Sequence, residues 1–246
     1  GLYYHRWSPN GEPKAVLILV HGLGEHCRRY QALAEHFVAQ NVAVHSMDLP
    51  GHGKSAGRRG DIASFSLYQN AILNLISKAE ADYPSTPKVL LGHSMGGLVA
   101  SHLLLEHQDK FVAAMLSGAA LESPQAPPAW QASLIKGLAK LLPKARVLPL
   151  HADNISRDPE VVKNYMCDPL VSKAKLSARF LVAMRTTMHV VKQQAHSIRL
   201  PLRIMHGSAD VMTAPTGSQR LFDSVSSTDK TLTLYDGLYH EIFNEP

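Results

Sequence analysis

A serine, an aspartate and a histidine stand in the order that a nucleophilic serine site requires, each directly after an apolar run. Ser94 is the centre of the G-x-S-x-G pattern Gly92–Gly96, between the run "KVLLGH" and a helical pattern. A serine hydroxyl is a poor nucleophile at neutral pH, so it needs a base, and that base needs an orienting carboxylate. Asp210 follows "LRIMHG" and His240 follows "KTLTLY". We therefore predict Ser94 as nucleophile, His240 as general base and Asp210 as the acid that orients it.

Ordinary structural roles are the alternatives for these residues. The serine is also a good N-cap for a helix after a glycine-rich turn, and the histidine is one of 14 in the chain. Asp210 could be a plain turn residue, and Asp223, Asp229 and Asp236 are rival acids. The first two rivals lie in or at the ends of a helical stretch, and the third is too close to His240 on one loop. The order of the three matches favours the triad.

Attack on an ester carbonyl also requires two N–H donors for the oxyanion. The residue after the nucleophile supplies one, which here is Met95. The segment His21–Gly24 follows the apolar run "AVLILV" and would supply the other, with Leu23 as the predicted donor and Gly22 as the alternative. A His-Gly pair alone would indicate only a tight turn.

Alternating strand and helix patterns predict an α/β fold with a mostly parallel, doubly wound sheet. Strands rich in Val, Ile and Leu without clean alternation are typical of strands covered on both faces. The predicted strands are residues 15–20, 42–48, 88–93, 111–118, 202–207 and 230–235. Helical spacing is found in residues 30–38, 68–79 and 98–105 between them.

A Pro-rich, irregular segment interrupts this alternation, and strand patterns resume only at Leu202. We predict a hydrolase core of residues 1–121 and 176–246, with residues 122–175 inserted as a cap over the carboxyl edge of the sheet. Within the cap, an apolar stripe from Trp130 to Leu142 predicts a helix opened by Pro127-Pro128 and closed by Pro143. Lysines lie beside the stripe, at positions 136, 140 and 144. The stripe either packs on the cap or rests on a lipid surface.

Composition excludes several classes of protein. The 246 residues are 45% apolar with a net charge of +5, which is enough apolar material for a core and too mild a charge for nucleic-acid binding. Two cysteines without a C-x-x-C pair and without metal-ligand spacing favour a reducing, cytoplasmic location with no metal. No leader or membrane-spanning run is evident, although both ends look clipped.

Several longer motifs resemble the monoacylglycerol lipase and lysophospholipase-like branch of the serine α/β-hydrolases. They are "HGLGEHCRRY", "DLPGHGKSAGRRGDIASF", "LLGHSMGGLVA", "GSADVMT" and "YHEIFNEP", and the resemblance runs from about Tyr3 to the end. It implies the α/β-hydrolase fold, a mobile cap and no cofactor. It also implies head-group contacts for Glu25, Arg29 and Tyr165, although the first two could be a solvated i,i+4 pair. The chain departs from the family in having Leu23 where many members have a smaller residue.

The resemblance implies a serine esterase that hydrolyses monoacylglycerols through an acyl-enzyme intermediate. A lysophospholipase, a broad carboxylesterase or thioesterase, and a peptidase would use the same apparatus, so the triad does not separate them. From another class, a catalytically silent binding protein on the same fold is the alternative. Peripheral contact of the cap with a membrane or micelle is one of the two alternatives for its apolar stripe, and the oligomeric state stays open.

Overall fold

The computed structural model describes residues 1–124, 128–150 and 153–246, and a seven-stranded sheet lies at its centre. Its strands are β1 (Tyr4–Trp7), β2 (Ala15–Val20), β3 (Val42–Met47), β4 (Lys88–His93), β5 (Ala113–Ser117), β8 (Leu202–Gly207) and β9 (Lys230–Tyr235), while β6 (Arg146–Leu148) and β7 (Leu176–Ser177) form a separate pair. The order is β1-β3-β2-β4-β5-β8-β9, and only the edge pair β1–β3 is antiparallel. The predicted mostly parallel sheet is confirmed.

Seven α-helices connect these strands within the described residues. They are α1 (Gln31–Ala39), α2 (Ser66–Asp82), α3 (Met95–His107), α4 (Ala129–Leu141), α5 (Pro159–Cys167), α6 (Ala178–Gln194) and α7 (Pro215–Ser224). The packing of strand β2 on both of its faces explains why its sequence is apolar throughout. Val16 and Ile18 pack into the larger core cluster with α2, α3, α6 and α7, whereas Leu17 and Leu19 pack into a second cluster with α1. Successive side chains point to opposite faces, so a strand covered on both sides must be apolar at every position.

The parallel strands deliver the candidate site residues to one edge of the sheet. Ser94 follows β4, Asp210 follows β8, and His240 follows β9, which pairs directly with β8. The segment with Gly22 follows β2, which pairs directly with β4. Carboxyl ends of parallel strands lie at the same edge, so residues up to 146 positions apart in the chain meet there.

The segment between β5 and β8 contains the whole predicted cap, and it differs from the prediction in two ways. Strands β6 and β7 pair within it, so the expectation that strands resume only at Leu202 is wrong. Helix α4 ends at Leu141 rather than Leu142, and Pro128 is its N-cap, while Pro127 lies outside the described residues. Helix α5 begins as its sequence dictates, because Asp158 caps the Glu160 N–H at 2.8 Å and proline occupies the first turn.

Candidate active site

Ser94 lies in a strained turn between β4 and α3. Its backbone has φ 54° and ψ −121°, a left-handed conformation that non-glycine residues rarely adopt. The flanking glycines make the turn sterically possible. A Cβ on Gly92 would lie 2.5 Å from the Gly96 carbonyl oxygen, and a Cβ on Gly96 would overlap the carbonyl oxygens of Val20 and His21. The G-x-S-x-G pattern therefore has a physical cause here, which a simple capping serine would not require.

His240 joins Ser94 to Asp210 by two short hydrogen bonds. Its Nε2 lies 2.8 Å from Ser94 Oγ, and its Nδ1 lies 2.7 Å from Asp210 Oδ2. The carboxylate is the nearest acceptor for an Nδ1 proton, with the Thr213 hydroxyl oxygen farther away at 3.3 Å, and a proton on Nδ1 leaves Nε2 free to accept the serine proton. The structure thus brings together the three residues predicted as a triad. The rival acid Asp236 instead accepts a hydrogen bond from Ser208 Oγ at 3.3 Å.

The carboxylate of Asp210 is buried and surrounded by donors. Its Oδ1 accepts the N–H groups of Met212 at 2.8 Å and Thr213 at 3.1 Å, and its Oδ2 accepts the Thr213 hydroxyl at 2.8 Å. Burial alone would raise the pKa of Asp210, but hydrogen bonds from His206 and His240 outweigh it and hold the pKa well below its usual range. The group is therefore a fixed anion facing the imidazole.

His206 is a second imidazole on the same carboxylate, and the sequence analysis missed it. Its Nε2 lies 3.1 Å from Asp210 Oδ2 and 3.2 Å from the Thr213 carbonyl oxygen, while its Nδ1 lies 2.7 Å from Ser218 Oγ. Two acceptors at Nε2 place the proton there, so the Ser218 hydroxyl donates to Nδ1. The signal was present in "MHGSAD", where His206 and Asp210 stand four residues apart, but nothing in the sequence alone distinguishes this histidine from a strand-end core residue.

The loop after β2 lies against the nucleophile. A Cβ on Gly22 would be 3.1 Å from Ser94 Cβ, and the Gly22 N–H donates to Glu25 Oε1 at 2.6 Å. Because Glu25 already accepts that N–H, the alternative prediction that Gly22 donates to the oxyanion is wrong. The N–H groups of Leu23 and Met95 make no hydrogen bond within residues 1–124, 128–150 and 153–246. Met95 is also the first residue of α3, where backbone N–H groups have no partner inside the helix.

Glu25 and Arg29 are buried together, so their interpretation as a solvated helix pair is wrong. Arg29 Nη1 donates to Glu25 Oε2 and to Glu241 Oε1, both at 2.6 Å, and Nη2 donates to Glu241 Oε2 at 2.9 Å. Tyr165 of α5 stacks on the Arg29 guanidinium, 4.5 Å from ring centroid to Cζ. All three predicted head-group residues therefore meet, and Glu241 joins them without having been predicted.

Burial and pairing determine the pKa values of Glu25 and of its neighbour Tyr30. Burial would raise the pKa of Glu25, but the Arg29 guanidinium outweighs it, and the pKa lies at about 2. The hydroxyl of Tyr30 donates to Glu25 Oε1 at 2.7 Å, and burial raises the pKa of that tyrosine well above its usual value. No group of three or more metal-ligating side chains is found among the residues that the structure describes.

Comparison with known proteins shows the family of this chain. A model described as "Serine aminopeptidase, S33" matches residues 11–246. Monoacylglycerol lipase of Mycolicibacterium smegmatis is 37% identical over 245 residues, which cover 100% of this chain and 88% of that protein. Monoglyceride lipase of Homo sapiens is 32% identical over 99% of this chain and 81% of that protein.

A solved structure agrees with these relatives. The crystal structure of Paleococcus ferrophilus monoacylglycerol lipase has a TM-score of 0.89 and 34% sequence identity, and the match covers 100% of this chain and 93% of that one. This similarity confirms the predicted fold class and the resemblance to the lipase branch. The chain belongs to the serine aminopeptidase S33 family, and it is a serine hydrolase with the α/β-hydrolase fold.

Proposed function

We propose that this protein hydrolyses the ester bond of monoacylglycerols through an acyl-enzyme on Ser94. The continuous hydrogen-bonded chain from Ser94 Oγ through His240 to the buried Asp210 carries the proposal, because it is the minimum apparatus for nucleophilic attack by serine. The monoacylglycerol and monoglyceride lipases among its relatives support the choice of substrate. A silent binding protein is disfavoured, since all three triad residues are present and aligned.

Each step follows from the geometry. His240 Nε2 takes the proton of Ser94 as Oγ attacks the ester carbonyl, and Asp210 stabilises the resulting imidazolium. The oxyanion is bound by the N–H groups of Leu23 and Met95. His240 then protonates the leaving glycerol oxygen, and water, deprotonated by the same imidazole, hydrolyses the acyl-enzyme. No cofactor takes part in these steps.

A matched pair of serine variants tests the nucleophile. Ser94→Ala is expected to lose at least about 10³-fold in kcat on nitrophenyl esters and monoacylglycerols, and to lose labelling by a fluorophosphonate probe. Ser101→Ala is the control, because Ser101 lies on helix α3, which follows Ser94 directly, and its hydroxyl donates to the Gly97 carbonyl oxygen at 2.8 Å. Undiminished turnover or labelling in Ser94→Ala would contradict the covalent mechanism.

We further propose that α4 brings the protein to an anionic lipid surface. Trp130, Leu134 and Leu141 are 66%, 64% and 82% exposed, and their spacing of i, i+4 and i+11 puts them on one side of the helix. Lys136 and Lys140 lie on another side of α4, where they line a cavity together with residues of α6. An exposed apolar face on a helix whose polar face contains lysines is typical of a helix lying in the interface of an anionic membrane.

Vesicle binding tests this contact. Leu134→Ser is expected to weaken binding to vesicles of phosphatidylcholine with phosphatidylserine, and to lower activity on monoacylglycerol in those vesicles but not on a dissolved nitrophenyl ester. Leu67→Ser is the matched control, because Leu67 is also an exposed leucine (49%) but lies on α2, away from the α4 face. Equal binding by both variants and wild type would contradict the contact.

The expected location stays a proposal as well. Cys27 is buried, Cys167 is exposed, and neither forms a disulfide, which supports a reducing compartment such as the cytoplasm. None of the helices within the described residues has the length and apolar character needed to cross a membrane.

A further inference from the structure

Two carboxylates and one guanidinium form a buried group that we call the charge cluster, namely Glu25, Arg29 and Glu241. Arg29 is held by both carboxylates at once, and Asn244 Nδ2 donates to Glu241 Oε2 at 2.8 Å. The side chains of all three are at most 12% exposed. With two negative charges and one positive charge, the cluster carries a net charge of about −1, which solvent screens poorly at this depth.

The charge cluster borders the reacting groups. Glu25 accepts the N–H of Gly22, which itself lies against Ser94, and Glu241 is the residue after His240. A cavity of about 250 Å³ beside the site is lined by Glu25, Arg29, Glu241, Tyr30, His93 and Phe243, among others. His93 and Glu241 line the cavity, and the His93 ring centroid lies 4.8 Å from that of His240, so these two residues lie between the cavity and the catalytic histidine.

No other lining group of this cavity offsets the negative charge. Burial lowers the pKa of His93 to about 4, with the nearby His240 as the second cause, so His93 is neutral at pH 7. The Tyr30 hydroxyl is also neutral, because burial raises its pKa. Arg29 is the only cationic side chain in the lining as described, and it is already paired twice.

We propose that Glu241 makes this enzyme selective for esters with an uncharged headgroup and against esters whose headgroup bears a phosphate. The inference rests on the proposed function and deepens it, since it chooses between the monoacylglycerol and lysophospholipid classes. With Glu25 alone, Arg29 would be balanced, and the cavity would be neutral. Glu241 adds the second carboxylate, so an incoming phosphate meets like charge and finds no free guanidinium.

A charge-neutralising variant tests the selectivity. We compare kcat/KM for 1-oleoylglycerol and 1-oleoylglycerol 3-phosphate, which share the acyl chain and differ by the phosphate, both below their critical micelle concentrations. Wild type is expected to prefer the uncharged substrate, and Glu241→Gln should raise the relative kcat/KM for the phosphate substrate about tenfold or more. The amide retains an acceptor for Arg29 while losing the charge.

Glu245→Gln is the matched control on the same loop. Glu245 is buried, and its Oε2 pairs with Arg157 Nε at 2.6 Å, but it does not line the cavity. The control removes the same charge from a buried carboxylate whose arginine partner is 39% exposed, so loosening of the loop would affect both variants. Its substrate ratio should change less than about twofold. A change as large as that in Glu241→Gln would overturn the proposal.

Wild type alone gives a second test that does not depend on folding of a variant. Glycerol 3-phosphate should inhibit hydrolysis of a nitrophenyl ester more weakly than glycerol does, and stronger inhibition by the phosphate would overturn the proposal. The nitrophenyl ester also separates the two levels of inference. Hydrolysis of that ester with an unaltered substrate ratio in Glu241→Gln overturns the selectivity alone, whereas absence of any ester hydrolysis overturns the proposed function and the selectivity with it.

Discussion

Helices α2 and α4 have similar amphipathic sequences, but their apolar faces have opposite surroundings. In α2, Tyr68, Ile72 and Leu75 are at most 1% exposed, because they pack under the sheet against α3 and the larger core cluster. In α4, Trp130 and Leu134 are about two-thirds exposed. Periodicity therefore identifies an apolar face without telling what covers it. The apolar face of α2 contributes to folding, whereas the apolar face of α4 stays largely exposed.

The largest expected effect is in the core, at the residue that orients the base. Asp210→Asn should lower kcat about 10⁴-fold on every ester, dissolved or membrane-bound, because an amide does not hold the His240 tautomer with Nδ1–H. Measurement on a dissolved nitrophenyl ester and on monoacylglycerol in vesicles checks this.

Leu134→Ser on α4 is the comparison for Asp210→Asn, since it should affect only the vesicle substrate. If Asp210→Asn slowed hydrolysis of one substrate and not of the other, this would contradict its role in the chemical step common to all esters. A loss of activity on the dissolved ester in Leu134→Ser would contradict the division between core and cap.

The sequence predicted the parts of the site that depend on local pattern. Each triad residue follows its own apolar strand, and the tight turn at Ser94 requires glycines that the sequence displays. Parallel strands then bring the loops together whatever their separation along the chain. The same logic predicted the six parallel strands, but not the edge strand β1, whose four residues "YHRW" are too short and polar to form an apolar run.

Residues that act through distant partners could not be predicted in this way. The Arg29–Glu241 pair joins positions 212 apart, and no local pattern indicates which arginine a carboxylate will meet. His206 likewise gains its role only from the folded position of Asp210 and Ser218. The apolar pattern of α4 also did not predict what covers its stripe, because burial of that stripe depends on tertiary packing.

The second expected effect is acid unfolding of the core. Burial lowers the pKa of His45 and His93 to about 4 and that of His52 to about 3. A buried neutral histidine stabilises the fold fully above the unfolded pKa of about 6.5, and this stability is lost as pH falls towards the folded pKa. The free energy of unfolding should therefore fall from about pH 6.5 to 4, by up to about 1.4 kcal/mol per pH unit for each such group.

Urea unfolding at several pH values measures this slope. His52→Phe should flatten the slope by about 1 kcal/mol per pH unit between pH 6 and 4.5, whatever its effect on absolute stability. His36→Phe is the control, since His36 is exposed on α1. Helix α4 contains no histidine, so protonation of these buried histidines destabilises the region around the sheet rather than α4 itself. Equal slopes in wild type and His52→Phe would contradict the assignment.

The last comparison takes one leucine from each helix, and the smallest expected effect is that of the exposed one. Leu75 in α2 is 1% exposed, so Leu75→Ala should lower the free energy of unfolding by about 3 kcal/mol through lost burial and the cavity left behind. Leu134 in α4 is 64% exposed, and Leu134→Ala should change it by less than about 0.5 kcal/mol. Both changes remove the same atoms from a helix, so helix propensity cancels in the comparison. An equal loss in the two variants would mean that α4 is covered by its own chain, and the apolar face would then not be available to a lipid surface.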